Sequence, residues 1–334
     1  LMTDTRFDVL GVGNAIVDVL ASVDDAFIEQ HGLAKDAMLL IDEERAEALY
    51  EAFPPAQEIS GGSAANSLAG VASLGVRGAY IGKVADDQLG EVFAHDLRSI
   101  GVHYDTKPLK DGPSTARCLI AVPADARRAM NTFLGASTMM DEDDINADLV
   151  KSATVTFLEG YLFDRPEAKA AFVRASEIAQ AADRRVALTL SDLFCVDRHR
   201  DSFRHLVKNH IDVLFANEAE IKALYEVDDF ETALAKVRAE TRVAAITRSE
   251  KGAVIVSGDE EVRVDADPVE HVVDTTGAGD QFAAGFLAGY SRGADLYTCG
   301  RLGVIAAAEV ISHMGARPLV SLKELAASKG VSLD

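Results

Sequence analysis

The chain has 334 residues, with 33 Lys and Arg against 54 Asp and Glu, for a formal net charge of −21. Affinity for nucleic acid rests on clustered Lys and Arg, so this balance argues against a DNA- or RNA-binding role. Hydrophobic residues make up 48%, enough for a substantial core, yet no apolar run reaches the roughly 18 residues of a membrane span. The N-terminus lacks a basic stretch followed by an apolar one, and the expectation is a cytoplasmic protein with no membrane partner. Cys118, Cys195 and Cys299 form no CxxC pair and read as buried thiols.

In chain order, residues 6–13 (RFDVLGVG) read as a short apolar strand ending in glycines. Residues 61–74 (GGSAANSLAGVASL) read as a glycine turn feeding a helix of small residues. Further strands are predicted at 79–84, 154–159, 186–191, 211–216 and 243–247, most of them separated by helix-length segments rich in Ala, Glu and Arg. This alternation predicts an α/β fold with a mainly parallel sheet covered on both faces. Two regions break the rhythm, at 19–41 and 104–130. They carry short alternating runs, such as TARCLIAV at 115–122, broken by Pro108, Gly112, Pro113 and Pro123. Small antiparallel strands inserted as a lid are predicted there, within one domain spanning 2–334.

The segment 274–285, DTTGAGDQFAAG, bears the clearest chemistry. Gly277 and Gly279 let the backbone turn sharply into a helix, whose unpaired N–H groups and dipole favour an anion. Asp280 sits on the first turn beside that site. This pairing suits phosphoryl transfer, with amides stabilising charge on the moving group and Asp280 accepting the proton of an attacking hydroxyl. So close to a helix N-terminus, Asp280 is expected to have a low pKa. The plain alternative is a glycine turn with a capping carboxylate. Gly11-Val-Gly13 lacks the third glycine of a dinucleotide fingerprint, which disfavours a nicotinamide oxidoreductase, and no GxxxxGK[ST] occurs.

GGSAANSLAGVASLG at 61–75 and DTTGAGDQFAAGFLAG at 274–289 together resemble the two signature regions of the phosphofructokinase-B family, the ribokinase-like sugar and nucleoside kinases. GNAIVD at 13–18, IGKVADDQLG at 81–90, RAMNTFLGAS at 128–137, NEAE at 217–220 and TRSEKGA at 247–253 also match, making seven segments in the family's order. The resemblance implies a three-layer α/β/α kinase with a small β lid, using ATP and Mg²⁺. It implies Asp280 as catalytic base, the amides of Gly277, Ala278 and Gly279 as an anion hole, and Arg128 as a lid-side arginine reaching the transferring phosphate. For Arg128 the alternative is a solvated pair with Arg127. Asn14, Asp18, Gly62, Ser63 and Asn66 match acceptor-binding positions. Read without the resemblance, Asn14 is a turn residue, Asp18 an exposed carboxylate and the 62–66 segment a capped helix start.

Asn217 and Glu220 match the pair that organises Mg²⁺ through water, while Thr247, Ser249 and Gly252 match the nucleotide-contacting segment, where the family usually has Gly at the position of Ser249. Asp274, Thr276 and Gly315 match positions that bind a monovalent cation, K⁺, in many relatives. The eight histidines show no HxxxH or HxH spacing, which argues against a histidine metal site. The combination of motifs, with EGYLFD at 159–164, lies closer to the adenosine-kinase-like branch than to ribokinase or fructokinase. A base pocket walled by Ile16, Met38, Phe133, Leu134, Tyr161 and Phe163 would suit it, although ordinary packing explains each residue singly. The expected activity is transfer from ATP to a ribose-type primary hydroxyl, with adenosine as leading acceptor. The alternatives are a free-sugar kinase and a non-enzymatic nucleoside or sugar sensor, and the chain is expected to be a monomer or a lid-mediated homodimer.

Overall fold

The structure, a computed structural model, describes residues 5–125 and 127–333; residues 2–4, 126 and 334 of the expected domain and lid lie outside it. Its strands are β1 (Phe7–Val12), β2 (Ile16–Ser22), β3 (Ala37–Leu40), β4 (Gln57–Gly61), β5 (Gly78–Ile81), β6 (His103–Tyr104), β7 (Ala116–Val122), β8 (Ala129–Phe133), β9 (Ala153–Glu159), β10 (Arg185–Thr189), β11 (Val213–Asn217), β12 (Val243–Thr247), β13 (Ala253–Ser257) and β14 (Glu260–Val264). A nine-stranded sheet has the order β14-β13-β12-β11-β10-β9-β1-β5-β6, and a five-stranded sheet the order β3-β8-β7-β2-β4.

In the large sheet every pairing from β12 to β6 is parallel. Parallel strands are covered on both faces, which explains why β1 is buried at every position. Val9 of β1 and Phe157 of β9 enter a core shared with helices Ser63–Ser73, Gln88–Ser99, Ala278–Ser291 and Leu296–Ile311. Leu10, Val12 and Leu158 enter a second core, shared with Pro166–Ala181, Leu193–Asn209, Glu218–Tyr225 and Phe230–Glu240. These are the three layers of a ribokinase-like α/β/α fold. The antiparallel hairpin β13–β14, which closes the sheet at one edge, was not among the predicted strands.

The small sheet differs from the expected lid in pairing and extent. It is mixed, because β2–β7 and β3–β8 run parallel while β2–β4 and β7–β8 run antiparallel. Its strands reach from residue 16 to 61 and on to 133, and Tyr104 belongs to the large sheet. Only Gly13, Asn14 and Ala15 separate β1 from β2, so the small sheet springs directly from the carboxyl end of a central strand. The period of two in β2 buries Val17 and Val19 and turns Ile16, Asp18 and Leu20 to the opposite face.

Candidate active site

The predicted functional residues gather where the parallel strands end, the usual crevice of open α/β sheets. Asn14 follows β1, Asn217 closes β11 and Thr247 closes β12, and Glu159, which was not predicted, closes β9. The glycine turn at 277–279 completes the crevice. Gly277 caps the helix Ala278–Ser291 with φ of 79°, and a Cβ there would lie 2.7 Å from Ala316 Cα, so both conformation and space demand glycine. A Cβ on Gly279 would meet nothing within 4 Å, which leaves that backbone open to the cleft. Ala278 N–H donates to the Thr275 carbonyl at 3.2 Å, drawing one of the three expected anion-hole amides into the turn.

Two helix starts meet at Asp280. Ser63 Oγ donates to its Oδ1 at 2.6 Å, Asn66 Nδ2 faces its Oδ2 at 3.5 Å, and Ser67 Oγ donates to its carbonyl at 2.9 Å. Small residues permit this approach: a Cβ on Gly70 would fall 2.1 Å from Gln281 Oε1. The low pKa expected for Asp280 is not found. Burial pushes it up to about 6, outweighing the hydrogen bonds from Ser63 and Asn66 that pull it down. A carboxylate raised in this way is a better proton acceptor near neutral pH.

A cavity of about 1070 Å³ opens on one side of Asp280. Ser63, Tyr161, Asn217, Glu220, Thr247, Ser249, Gly252, Thr276, Gly277, Ala278 and Gly279, all named from the sequence, line it with Asp280. Its remaining wall includes Pro268, Val269, Val272, Val304 and Ile311, an apolar surface suited to a flat base. Asp267 in the same wall is tied to Arg301 at 3.1 Å and Lys329 at 2.7 Å, an anchor with no motif to announce it. Ser249 has φ of 53°, the left-handed region in which glycine is at ease, and this explains the glycine usual at its position.

Asn217 and Glu220 form a reciprocal cap. Glu220 accepts from the Asn217 backbone N–H at 2.9 Å and from Nδ2 at 2.8 Å, and Asn217 Oδ1 accepts from Glu220 N–H at 2.8 Å. Burial raises Glu220 to about 7, and among the described residues it has no Lys or Arg ion pair. A buried carboxylate on a cavity wall without a counter-cation fits a hydrated Mg²⁺.

The expected K⁺ site has a different arrangement. The Asp274 carboxylate meets the buried Arg128 guanidinium and accepts from Thr276 N–H and Gly315 N–H, each at 3.0 Å. Thr276 and Gly315 thus present N–H groups to Asp274, and the Arg128 guanidinium supplies its counter-charge. Among the described residues no cluster of three His, Cys, Asp or Glu could hold a metal. Arg128 is no solvated partner of Arg127, which is exposed and pairs with Asp36. Its guanidinium meets Asp274 at the glycine turn, and its charge also acts on Asp18.

Across Asp280 from the cavity lies the β2 side of the cleft. Asn14 is buried, not a plain turn residue, and its Nδ2 donates to Glu159 Oε1 at 3.0 Å. Glu159 Oε2 also accepts from Ala64 N–H at 2.9 Å, pinning the start of helix Ser63–Ser73, and burial raises Glu159 to about 7. Gly62 has φ of 92°, and a Cβ there would lie 2.2 Å from the Asn14 carbonyl. Asp18 is half-buried and pushed up to about 6, by burial and by Asp280, against the lowering charges of Arg317 and Arg128. Ile16, Phe133 and Leu134 are half-buried, and Tyr161 is 37% exposed at the cavity. Two expected wall residues are elsewhere: Phe163 is buried in the second core against Phe203, and Met38 is 50% exposed on the edge strand β3. Sequence reasoning missed Glu159, Gln281 and Arg317.

Residues 40–322 match the family described as pfkB family carbohydrate kinase. The chain belongs to this family. As a pfkB-family kinase it is a phosphotransferase acting on hydroxyl groups. It is 53% identical to a solved structure of adenosine kinase from Sinorhizobium meliloti, with a TM-score of 0.88 over 97% of this chain and 99% of that one. It is 51% identical to a solved probable sugar kinase from Rhizobium etli CFN 42, with a TM-score of 0.89 over 98% of this chain and 99% of that one. Adenosine kinase from Saccharomyces cerevisiae is 26% identical over 327 residues, covering 91% of this chain and 94% of the yeast protein. No helix among the described residues is long and apolar enough to cross a membrane.

Proposed function

We propose that this pfkB-family kinase transfers the γ-phosphoryl group of ATP to the primary ribose hydroxyl of adenosine. The observation that carries the acceptor is the 53% identity, over nearly the full length of both chains, to an adenosine kinase. The cleft geometry supports the division of labour. ATP lies in the cavity, its base against Val269, Val304 and Ile311 and its phosphates toward Gly277 and Gly279. Thr247, Ser249 and Gly252 flank the phosphates. Asn217 and Glu220 would hold a hydrated Mg²⁺, which would supply charge neutralisation on the phosphates. The acceptor lies on the β2 side, its hydroxyls held by Asn14, Asp18 and Asn66, with Ile16 and Phe133 toward its base. Asp280 takes the proton of the attacking hydroxyl as its oxygen bonds to phosphorus and the bond to the ADP oxygen breaks. Arg128 draws the small sheet onto Asp274 and so closes the cleft from the lid side.

The 51% identity to a probable sugar kinase favours a second reading, in which the acceptor is a free sugar. A coupled ADP-release assay over adenosine, inosine, ribose, fructose and 2-keto-3-deoxygluconate separates the two. The expected result is a kcat/KM for adenosine at least tenfold above every other acceptor, roughly the discrimination one well-made polar contact supplies. Preference for ribose or fructose would establish the sugar reading, and tight ligand binding with no ADP release would indicate a sensor.

A further inference from the structure

Three consecutive residues of the loop after helix Leu296–Ile311 are tied to the acceptor side of the cleft. Gly315 N–H donates to Asp274, the Ala316 carbonyl accepts from Gln281 Nε2 at 3.0 Å, and Arg317 reaches furthest. Its Nε donates to Asn66 Oδ1 at 3.1 Å, one terminal nitrogen to Asp96 Oδ2 at 3.2 Å and the other to Ser60 Oγ at 2.9 Å. Asp96, on helix Gln88–Ser99, also accepts from the Ser60 backbone N–H at 2.8 Å. One guanidinium therefore joins β4, helix Gln88–Ser99, helix Ser63–Ser73 and the C-terminal loop, using the planar fork that distinguishes arginine from lysine.

The bond to Asn66 has a chemical consequence. With Oδ1 held by a cation, the amide must present Nδ2 to Asp280. The flipped amide would set its oxygen against the Asp280 carboxylate and its NH₂ against the guanidinium, two repulsions in place of two attractions. Asn66 is thus fixed as a donor toward the base and the acceptor. The Arg317 charge also acts on Asp18, whose other charged neighbours are Arg128 and Asp280, with Cys118 beside it across β7.

We propose that Arg317 is a positioning residue for the acceptor: it fixes the orientation of the Asn66 amide and holds the Asp18 side of the cleft in register with Asp280. This rests on the reading of Asn66 and Asp18 as acceptor-binding residues. Arg317→Met keeps the bulk and removes the bonds, while Arg317→Lys keeps the charge and loses the fork. For Arg317→Met the account expects the acceptor KM to rise about tenfold or more, the loss of a charged hydrogen bond, with the ATP KM within about twofold of wild type. In ligand-free protein the ¹³C carboxyl titration of Asp18 should move to higher pH. Arg317→Lys should restore that titration but not the acceptor KM. Equal changes in both KM values, or an Asp18 midpoint unmoved in folded Arg317→Met, would overturn the proposal. Should Arg317→Met fail to fold, Arg317→Lys decides: a raised acceptor KM with unchanged ATP KM supports it, and wild-type values for both overturn it. If wild-type protein does not turn over adenosine, the proposed acceptor fails, while the ligand-free titration still tests Arg317.

Discussion

The two sides of Asp280 are built from different materials. On the cavity side, strand ends and turns such as Gly252 and Gly277 surround open space, and the charged groups Glu220 and Asp267 are satisfied within the wall. On the β2 side the polar groups are knitted to one another: Asn14 to Glu159, Arg128 to Asp274, Arg317 to Asn66, Ser60 and Asp96. A site that receives polyphosphate needs backbone amides and room, and little side-chain identity is required. A site that must seat one hydroxyl against one carboxylate needs its side chains held, because small displacements of reacting groups cost large factors in rate.

Substitutions can break this division. Asp280→Asn, at the junction, should lower kcat by about 10²–10⁴-fold while ATP and adenosine still bind with near-normal affinity by calorimetry. Asp18→Ala should raise the adenosine KM by about tenfold or more and leave the ATP KM nearly unchanged; the reverse pattern would mean the two ends had been exchanged. Glu220→Gln should raise the Mg²⁺ concentration for half-maximal activity by about tenfold without moving the adenosine KM.

Acid provides a finer test. Asp280 and Asp18 both rise to about 6 in the folded chain, so activity should fall as pH drops through about 6 and both carboxylates take up protons. The stability contribution has the opposite sign. Because these folded-state values lie above the ordinary aspartate value of 3.8, the native state binds protons that the unfolded chain has released, and these groups favour folding less as pH rises from about 4 through 6. Activity and the contribution of these two groups to stability should therefore part company between pH 7 and about 5.5, measured by kcat/KM and by the difference in Tm between wild type and Asp280→Asn. The smallest effect is expected at Ser249→Gly, which relieves a left-handed φ but loosens the unfolded chain, for a net gain of about 0–1 kcal/mol by denaturant unfolding.

The same contrast explains what the sequence could reveal. Backbone-built features leave local marks, and the strand over 243–247 and the turn into the helix at Gly277 were legible because each is dictated by residues adjacent in the chain, whereas the glycine usual at the position of Ser249 came only from the family resemblance. The hairpin β13–β14 carried a similar mark in Gly258, which has φ of 56° at the turn, and was overlooked. Side-chain networks leave no such mark. Arg317 is separated from Asn66 by 251 residues and Asn14 from Glu159 by 145, and nothing near Arg317 in the chain announces its partners. The raised pKa of Asp280 was hidden for the same reason: the helix start beside it is local, while the burial that outweighs it comes from distant elements. Parallel pairing of β2 with β7 could not be inferred from alternation, which is identical for either direction.

The most direct test of the central claim is to mix purified protein with adenosine, ATP and Mg²⁺ and quantify nucleotides by chromatography. The account predicts AMP and ADP formed together in step with the loss of adenosine, under multiple turnover. Adenosine left unchanged while ADP accumulates with ribose or fructose, or no ADP with any acceptor, would contradict it.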